Sequence, residues 1–264
     1  MIEFVNLHKS FGPKHVLRGF TLEVRDGETM VLIGYSGTGK SVTIKHVVGL
    51  LEPDAGHCAV DGQMVHELDR NQLTELRSRI GFVFQFAALF DSLNIFENVA
   101  FGLRRRRGMS ESEIEDRVAE ALKLVDLPGV ERRMPAELSG GMRKRVGLAR
   151  AIAIQPKYML YDEPTTGLDP VTSAIIDELM VRTREALGVT GIVITHDMKS
   201  AYRVGDRIAM LFQGQVRRVG TVDEIRNTDD PVVRGFIEGR PDARLTDDQS
   251  LAAPEEAAIE GVPA

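Results

Sequence analysis

The chain has 264 residues, of which 43% are hydrophobic and 27% are charged. This composition supports a substantial buried core, and it excludes a disulfide-stapled miniprotein and a wholly disordered polypeptide. The formal net charge is −6, but residues 240–264 contain two arginines and six acids, so the rest is near neutral and offers no basic field to attract nucleic acid.

Cysteine usage and the N-terminal sequence favour a reducing cytoplasm. Cys58 is the only cysteine, so it has no partner for an intrachain disulfide. The sequence from Met1 to Phe4 lacks the basic and then apolar profile of a secretory signal. No stretch approaches the roughly 18 to 20 apolar residues of a membrane-spanning helix. We therefore expect that the chain alone does not cross a bilayer.

Short apolar, β-branched segments bounded by turn residues predict strands along the chain. They are residues 2–5, 20–24, 30–33, 79–84, 158–161, 192–195 and 207–212. Helical patterns separate several of them, which favours an α/β fold with a largely parallel central sheet. The segments over 2–24 and 58–66 are typical of antiparallel hairpins, so we expect a mixed topology.

Residues 94–155 differ, because they carry almost only helical signals. Ser110 and Glu113 form a capping box, and apolar residues at helical spacing follow them. The sequence Leu127-Pro128-Gly129 is predicted to end that helix. We interpret this region as a helical subdomain, over 91–155, inserted into a core formed by 1–90 and 156–239.

The composition changes again beyond residue 239, where Asp, Glu, Ala and Pro dominate and aromatic residues are missing. This composition favours a mobile acidic tail over 240–264. The alternative is a strap that reaches a neighbouring subunit.

A glycine-rich segment follows the predicted strand 30–33 and precedes a helical pattern. Its residues are Gly34, Tyr35, Ser36, Gly37, Thr38, Gly39, Lys40 and Ser41. The glycines let backbone N–H groups point inward at a β-phosphate, and the helix N-terminus adds positive partial charge. Lys40 is predicted to reach the β- and γ-phosphate oxygens, and Ser41 to offer its hydroxyl to Mg²⁺. The complete pattern in this context indicates a phosphate-binding loop and not a plain turn.

Two adjacent carboxylates, Asp162 and Glu163, follow the predicted strand 158–161. Ligands bind at this end of the strands in open α/β sheets, and we expect Asp162 to hold Mg²⁺. Because successive strand side chains point in opposite directions, Glu163 is left to orient and deprotonate an attacking water. Alone, such a pair would be a solvated strand end, but beside a phosphate loop it predicts a hydrolytic site.

Ser139, Gly140 and Gly141 open a long helical pattern predicted over 143–155, with Ser139 at the N-cap. The glycines let another group approach the helix start closely, which indicates a second anion site. A second anion site is hard to reconcile with a self-sufficient pocket unless it serves a partner subunit. At this point the chain resembles an ABC-type ATPase, whose signature segment corresponds to residues 138–141.

The resemblance covers residue 2 to about residue 239. It implies a P-loop NTPase fold with a RecA-like mixed sheet, an antiparallel N-terminal β subdomain and an inserted helical subdomain. By matching positions it also implies roles for four further residues. These are Phe11 stacking on adenine, Gln85 touching Mg²⁺ and sensing a transmembrane partner, Asp169 in the loop that contacts the opposite subunit, and His196 contacting the γ-phosphate. The implied catalytic residues are Lys40, Glu163 and His196.

Two positions depart from the family pattern. Val42 stands where a hydroxyl residue is usual, and it still offers its backbone N–H to phosphate, so we expect a modest change in affinity. Met142 stands where Gln is usual, and it can pack at the subunit seam but cannot replace the hydrogen bonds of Gln. Tyr35, where Pro is frequent, is expected to be tolerated.

Four segments narrow the resemblance to the ATPase subunit of MCE-associated (Mla-type) lipid transporters. They are residues 39–42, 86–91, 137–145 and 230–236. The resemblance implies ATP and Mg²⁺ as cofactors and a homodimer that sandwiches two ATP molecules. It also implies an integral membrane permease, a periplasmic MCE lipid-binding protein, and peripheral attachment at the cytoplasmic face of the inner membrane, with no role for nucleic acid.

Two other functions share this fold. A mechanical or signalling ABC ATPase would use every catalytic residue named above without moving a substrate. A nucleic-acid-linked ATPase is disfavoured, because the sequence has one phosphate loop, no heptads and a slightly negative body. The arginine run 104–107 is interpreted as a solvated helix end, with contact to anionic headgroups or permease acids as the alternative.

Overall fold

The structure is a computed structural model that describes residues 1–105 and 108–240. Arg106, Arg107 and the residues beyond Arg240 lie outside it. The predictions made for the second half of the arginine run and for nearly all of the acidic tail therefore concern residues outside the described part.

The strands in chain order are β1 (Ile2–Phe11), β2 (Lys14–Val24), β3 (Thr29–Ile33), β4 (Ala55–Val60), β5 (Gln63–Met64), β6 (Ile80–Val83), β7 (Tyr158–Asp162), β8 (Thr190–Ile194), β9 (Arg207–Phe212) and β10 (Gln215–Thr221). The α-helices are α1 (Lys40–Val47), α2 (Arg70–Ser78), α3 (Ile95–Ala100), α4 (Glu111–Leu124), α5 (Gly140–Ala153), α6 (Pro170–Leu187), α7 (Met198–Val204), α8 (Val222–Arg226) and α9 (Pro231–Ile237). Short 3-10 turns lie at Val65–Glu67, Leu103–Arg105 and Pro135–Glu137.

The first sheet is antiparallel, in the order β2-β1-β4-β5. Its first two strands are longer than predicted, because their outer halves carry polar and half-exposed residues that do not form a continuous apolar run. Phe11, the last residue of β1, pairs with Lys14 at the tip of the first hairpin. This sheet packs with α1 around buried Phe4, Phe20 and Ile44.

The second sheet has the order β10-β9-β3-β8-β7-β6. The five strands from β9 to β6 are parallel, and β10 adds an antiparallel edge. Every residue of β3 and β8 is buried, as expected for central strands covered on both faces. Because the strands are parallel, the segments that follow β3, β7 and β8 emerge at one edge of the sheet, which is where the candidate site forms.

The helical region contains α3, α4 and α5, whose apolar faces share one core with a face of the second sheet. Val118, Leu122 and Val146 are fully buried there. The predicted end of the central helix at 127–129 is wrong: α4 ends at Leu124, because Asp126 adopts a left-handed conformation with φ 54° and Leu127 N donates to Leu122 O. Within the described residues, we find no helix whose length and hydropathy would let it span a membrane.

Candidate functional site

The phosphate loop (residues 34–41) encloses the Lys40 ammonium. Nζ donates to the carbonyl oxygens of Gly34 at 2.8 Å and Tyr35 at 2.9 Å. The Thr38 hydroxyl donates to the same Tyr35 oxygen at 2.8 Å, so that one carbonyl binds two side chains. Lys40 is 5% exposed, and burial lowers its pKa while the charges of Glu163 and Asp162 oppose the shift. The loop thus holds a cation at the start of α1, where the helix dipole also favours an anion.

Gly39 joins this loop to the first hairpin. It caps α1 at φ 106°, a conformation that favours glycine. A Cβ at this position would lie 2.7 Å from Cγ1 of Val16 in β2, so a side chain there would push the hairpin away. Two residues further along β2, Arg18 N donates to the O atom of Gly214, in the turn between β9 and β10, at 2.9 Å. The antiparallel sheet is therefore joined to the second sheet beside the phosphate loop.

Ser41 and Asp162 meet across the sheet edge, where the Ser41 hydroxyl donates to Oδ1 of Asp162 at 2.8 Å. Burial raises the pKa of Asp162, the Ser41 hydrogen bond opposes that rise, and the charge of Glu163 adds to it. Gln85 lies half-buried two residues beyond β6, the strand beside β7. Hydroxyl, carboxylate and amide oxygens are the donors that Mg²⁺ prefers.

This donor set fits Mg²⁺ only together with a ligand. Among residues 1–105 and 108–240, no group of three or more His, Cys, Asp or Glu side chains is placed to hold a metal. Magnesium sites commonly combine one or two carboxylates with substrate phosphates, and Ser41 and Asp162 stand beside the phosphate loop. The residues therefore fit a cation that arrives with a nucleotide.

Glu163 lies beyond the strand, in a left-handed conformation with φ 49°, and its N–H donates to Ile194 O at the end of β8. Its Oε2 accepts from the Thr166 hydroxyl at 2.7 Å and lies 3.2 Å from Nδ1 of His196. The two carboxylates therefore have different hydrogen-bond partners, and their separate roles stay a prediction. Strand alternation does not set the direction of the Glu163 side chain, because Glu163 lies beyond β7 in a left-handed conformation.

The signature segment (residues 138–141) leads into α5. The helix begins at Gly140, three residues before the predicted start, and Ser139 caps it by accepting from Met142 N at 3.2 Å. Ser139 and Gly140 are exposed, whereas a Cβ on Gly141 would lie 2.6 Å from Cγ2 of Thr172 in α6. The segment thus combines an exposed helix start with close packing against the next helix.

Phe11 and Asp169 occupy the two remaining predicted positions. The Phe11 ring is 48% exposed, with the Lys9 ammonium 5.8 Å from its centroid, so its face is accessible to a planar base. Asp169 caps α6: its Oδ1 accepts from Val171 N and Thr172 N, each at 3.0 Å. Hydrogen bonds from Thr172 lower the pKa of Asp169. This capping role was not predicted, although Asp before Pro170 is a common helix start.

The two departures from the family pattern pack within the chain. Val42 is half-buried against the core beneath the antiparallel sheet. Met142 is half-buried against the core of the helical region. The apolar side chains at both positions therefore make hydrophobic contacts with the core, which a more polar side chain would make less favourably.

Three tertiary contacts were not predicted from the sequence. The Tyr35 ring packs edge-to-face on Phe236 of α9, with centroids 5.0 Å apart. Lys144 of α5 donates to two carbonyls of the turn that follows Glu163. Asp177 of α6 is 2% exposed and accepts from the Ser200 hydroxyl of α7 at 3.0 Å. Each joins segments far apart in the chain, so no local pattern signals them.

The family model described as ABC transporter matches residues 17–166, which contain the phosphate loop, the signature segment and both carboxylates. The chain belongs to the ABC transporter family. It is an ATP-binding subunit that hydrolyses ATP. This confirms the predicted ABC ATPase fold and the predicted enzymatic activity.

Curated relatives of this ABC ATPase carry several names. It is 43% identical over 239 residues to the "Probable ribonucleotide transport ATP-binding protein mkl" of Mycobacterium leprae (strain TN), covering 90% of this chain and 69% of that protein. It is 41% identical over 262 residues to "Protein TRIGALACTOSYLDIACYLGLYCEROL 3, chloroplastic" of Arabidopsis thaliana, covering 93% and 75%. It is 40% identical over 236 residues to the "Sulfate/thiosulfate import ATP-binding protein CysA" of Caulobacter vibrioides (strain ATCC 19089 / CIP 103742 / CB 15), covering 88% and 68%.

Solved structures share the fold of this ABC ATPase. The dimeric, post-hydrolysis structure of the ATP-binding cassette MJ0796 bound to ADP and phosphate superposes with a TM-score of 0.77 at 35% identity, covering 84% of this chain and 99% of that one. The structure of cbiO1 from Clostridium perfringens, part of a cbiONQ transporter complex, gives a TM-score of 0.79 at 28% identity, covering 93% and 98%.

Proposed function

We propose that this ABC ATPase supplies the energy for moving phospholipid or a related lipid between membranes. It acts at the cytoplasmic face of the inner membrane, bound to an integral membrane permease that works with a periplasmic MCE lipid-binding protein. The observation that best supports a lipid substrate is the similarity to the Arabidopsis protein that is named after a galactosylated diacylglycerol. The two chains are 41% identical over 93% of this chain. The four segments that resemble Mla-type ATPases add support.

The active form in this proposal is a homodimer in which the phosphate loop of one copy faces the signature segment of the other. The MJ0796 structure, at 35% identity, is dimeric and holds ADP and phosphate. The exposure of Ser139 and Gly140 supports the same arrangement, because backbone N–H groups at a helix start are free to bind an anion from outside the chain. Asp169 lies in the loop that contacts the opposite subunit.

Hydrolysis follows from the residues gathered at the sheet edge. Lys40 neutralises charge on the β- and γ-phosphates, with backbone N–H groups from Ser36 to Val42 around them. Glu163 accepts a proton from the water that attacks the γ-phosphorus, and the bond to the bridging oxygen of ADP breaks. His196 contacts the γ-phosphate and lies 3.2 Å from the Glu163 carboxylate, so it also orients the base.

Ser41, Asp162 and Gln85 would hold Mg²⁺, and Phe11 would stack on the adenine. The ion, when bound, supplies electrostatic stabilisation of the phosphate oxygens. The hydrogen bond from Ser41 to Asp162 places both oxygens beside the phosphate loop. The 48% exposure of Phe11 supports stacking of its ring on a purine.

The permease contacts this chain, in our proposal, at residues 85–90. Within this segment Phe86 is 80% exposed and Phe90 is 41% exposed, and Phe84, just before it, is 41% exposed. Aromatic side chains grouped on a surface mark contact sites. Gln85 belongs both to this segment and to the proposed metal residues, so closure of the dimer on ATP would move the permease.

A second candidate cargo is a ribonucleotide, because the mycobacterial relative with 43% identity is named a probable ribonucleotide transport ATP-binding protein. Both candidates use the same ATPase site. Only the membrane complex distinguishes them.

The experiment purifies the chain with its membrane partners and reconstitutes the complex in liposomes. We expect ATP-dependent transfer of a fluorescent phospholipid, and its loss in the Glu163→Gln complex. Transfer of a labelled ribonucleotide without lipid would replace the lipid by the second cargo. ATP consumption without movement of either would favour a mechanical or signalling ATPase. Full ATP turnover by a strictly monomeric preparation would refute the dimer.

A further inference from the structure

Lys144 lies in the second turn of α5, after the signature segment, and reaches a different part of the site. Its ammonium donates to Pro164 O at 2.9 Å and to Thr166 O at 2.5 Å. Both carbonyls belong to the carboxylate turn (residues 163–166), which joins β7 to the loop before α6. One cation therefore binds two backbone oxygens of a turn that is distant in sequence.

The same turn holds the Glu163 carboxylate from its other side. The Thr166 hydroxyl donates to Oε2 of Glu163 at 2.7 Å, and Thr166 N donates to Glu163 O at 3.3 Å. Lys144 thus binds the carbonyl oxygen of Thr166, and the hydroxyl and N–H of the same Thr166 bind Glu163. Hydrogen bonds that involve a charged group are stronger than neutral ones.

Burial also shields this link in part from solvent. Lys144 is half-buried, and burial lowers its pKa while the charge of Glu163 opposes the shift. Gly141, three residues earlier on the same helix, lies so close to Thr172 that a Cβ would approach its Cγ2 to 2.6 Å. The first turns of α5 therefore touch both the carboxylate turn and the first turn of α6. A displacement of α5 would move both of these segments.

We infer that Lys144 is a positioning residue that couples the signature segment to the Glu163 carboxylate of its own chain. The inference rests on the proposed homodimer, in which the signature segment binds the ATP held by the partner. Engagement of that ATP displaces α5, Lys144 carries the displacement to the carboxylate turn, and Glu163 reaches its working position in its own pocket. Each pocket is thereby made ready by occupancy of the other.

The first test separates positioning from nucleotide binding. We expect Lys144→Met to lower kcat for ATP hydrolysis ~10-fold, as the loss of two charge-assisted hydrogen bonds suggests, with the half-saturating ATP concentration changed less than ~2-fold. Lys144→Arg retains a cation and donors and should recover most of the rate. Lys123→Met, which removes an exposed lysine from α4, is the matched control and should behave as the unaltered chain.

Thr166→Val provides a second variant if Lys144→Met does not fold. It removes the hydroxyl that holds Oε2 and should lower kcat with the same unchanged half-saturation. An unaltered kcat in Lys144→Met overturns the inference. So does a raised half-saturating concentration with kcat intact, or an unaltered kcat in Thr166→Val where Lys144→Met is unfolded.

The sharper test uses heterodimers purified through two different tags. Glu163→Gln in one chain stops hydrolysis in that chain's own pocket while ATP binding and both signature segments are kept, and this heterodimer is the reference. Adding Lys144→Met to the opposite chain should misplace the remaining Glu163 and lower activity ~10-fold below the reference. Adding it to the chain that carries Glu163→Gln should change nothing, because that chain has no working base.

The reversed pattern would show that Lys144 only supports its own signature segment, and it would overturn the inference. If the reference heterodimer is inactive, the kcat and half-saturation measurements decide. A Ser139→Ala homodimer with full activity would instead refute the proposed dimer, whatever Lys144→Met does. The two failures are therefore distinguishable.

Discussion

The phosphate loop and the signature segment, the two proposed anion sites, differ in how they are enclosed. Around the phosphate loop the polar groups are enclosed: Lys40 is 5% exposed, and Ser41 is hydrogen-bonded to Asp162 across the sheet edge. In the signature segment, Ser139 and Gly140 lie exposed at a helix start. The polar groups of the phosphate loop are thus enclosed by their own chain, whereas those at the start of α5 are open to solvent.

This difference separates binding from hydrolysis. An enclosed cation at a helix start is preorganised, so the phosphate loop by itself should set the affinity for ATP. An exposed helix start contributes only when another molecule approaches it. Changes around the phosphate loop should therefore alter ATP binding, and changes in the signature segment should alter turnover.

The largest expected effect comes from Glu163→Gln, which should bind ATP as the unaltered chain does and hydrolyse it at least ~100-fold more slowly, the usual worth of a positioned general base. The amide still accepts a hydrogen bond from Thr166, so the turn is preserved. Steady-state ATPase assays and equilibrium nucleotide binding measure the two quantities. Glu115→Gln on exposed α4 is the control, and an unchanged rate in Glu163→Gln would remove this residue from the role of base.

A smaller effect is expected from Ser139→Ala, which should lower turnover by roughly 10-fold or more while the Kd of the isolated chain for ATP stays the same. Loss of the α5 cap also costs about 1 kcal/mol of stability. Ser110→Ala removes the comparable cap of α4 and should lower the Tm without lowering turnover. Equal losses of turnover in both variants would mean that capping alone explains the effect.

Phe236→Ala sharpens the comparison from the binding side. Its ring buttresses Tyr35, whose carbonyl accepts from Lys40 and Thr38, so its loss should loosen the phosphate loop. An edge-to-face pair is worth about 0.5 to 1.5 kcal/mol, which predicts a rise of roughly 2- to 10-fold in the Kd for ATP. In a Tyr35→Pro background the same substitution should have no further effect, and a full effect there would contradict the proposed contact.

The smallest effect concerns Asp177, whose pKa burial raises to about 6 from its ordinary value of 3.8. The Ser200 hydrogen bond and the charge of Arg203 oppose this rise, and the charge of Asp197 adds to it. Since the folded chain binds this proton more tightly than the unfolded chain, the stabilisation is complete below about pH 4 and is lost as the pH rises through 6.

Asp177→Asn removes this titration. Between pH 5 and pH 7, the free energy of unfolding of the unaltered chain should fall by about 1 kcal/mol relative to that of the variant. Urea unfolding at the two pH values measures the difference. A constant difference would mean that this carboxyl keeps an ordinary pKa in the folded chain.

Contiguous motifs made much of the site predictable. The phosphate loop, Asp162, Glu163 and the signature segment are short patterns beside apolar strands or helices, and local periodicity locates those strands within a few residues. The same reasoning misplaced the end of α4, because the left-handed conformation of Asp126 stops the helix before the more conspicuous proline and glycine.

The remaining contacts depend on tertiary structure. Nothing in the residues around Tyr35 indicates that Phe236 packs against it, since about 200 residues and most of the second sheet separate them. Lys144 lies within a recognised segment, but a lysine on a helix usually faces solvent. Only the approach of α5 to the carboxylate turn gives it two carbonyl partners.

The close approach of Val16 to Gly39 sets the distance between the proposed adenine-binding and phosphate-binding surfaces. Val16 lies near the tip of the hairpin that carries Phe11, and Gly39 is part of the phosphate loop. The two surfaces thus belong to segments that pack directly against each other. A bulkier residue at position 39 would increase that distance. We therefore expect even a single methyl group there to weaken the binding of ATP, because adenine and the phosphates could no longer be bound at the same time.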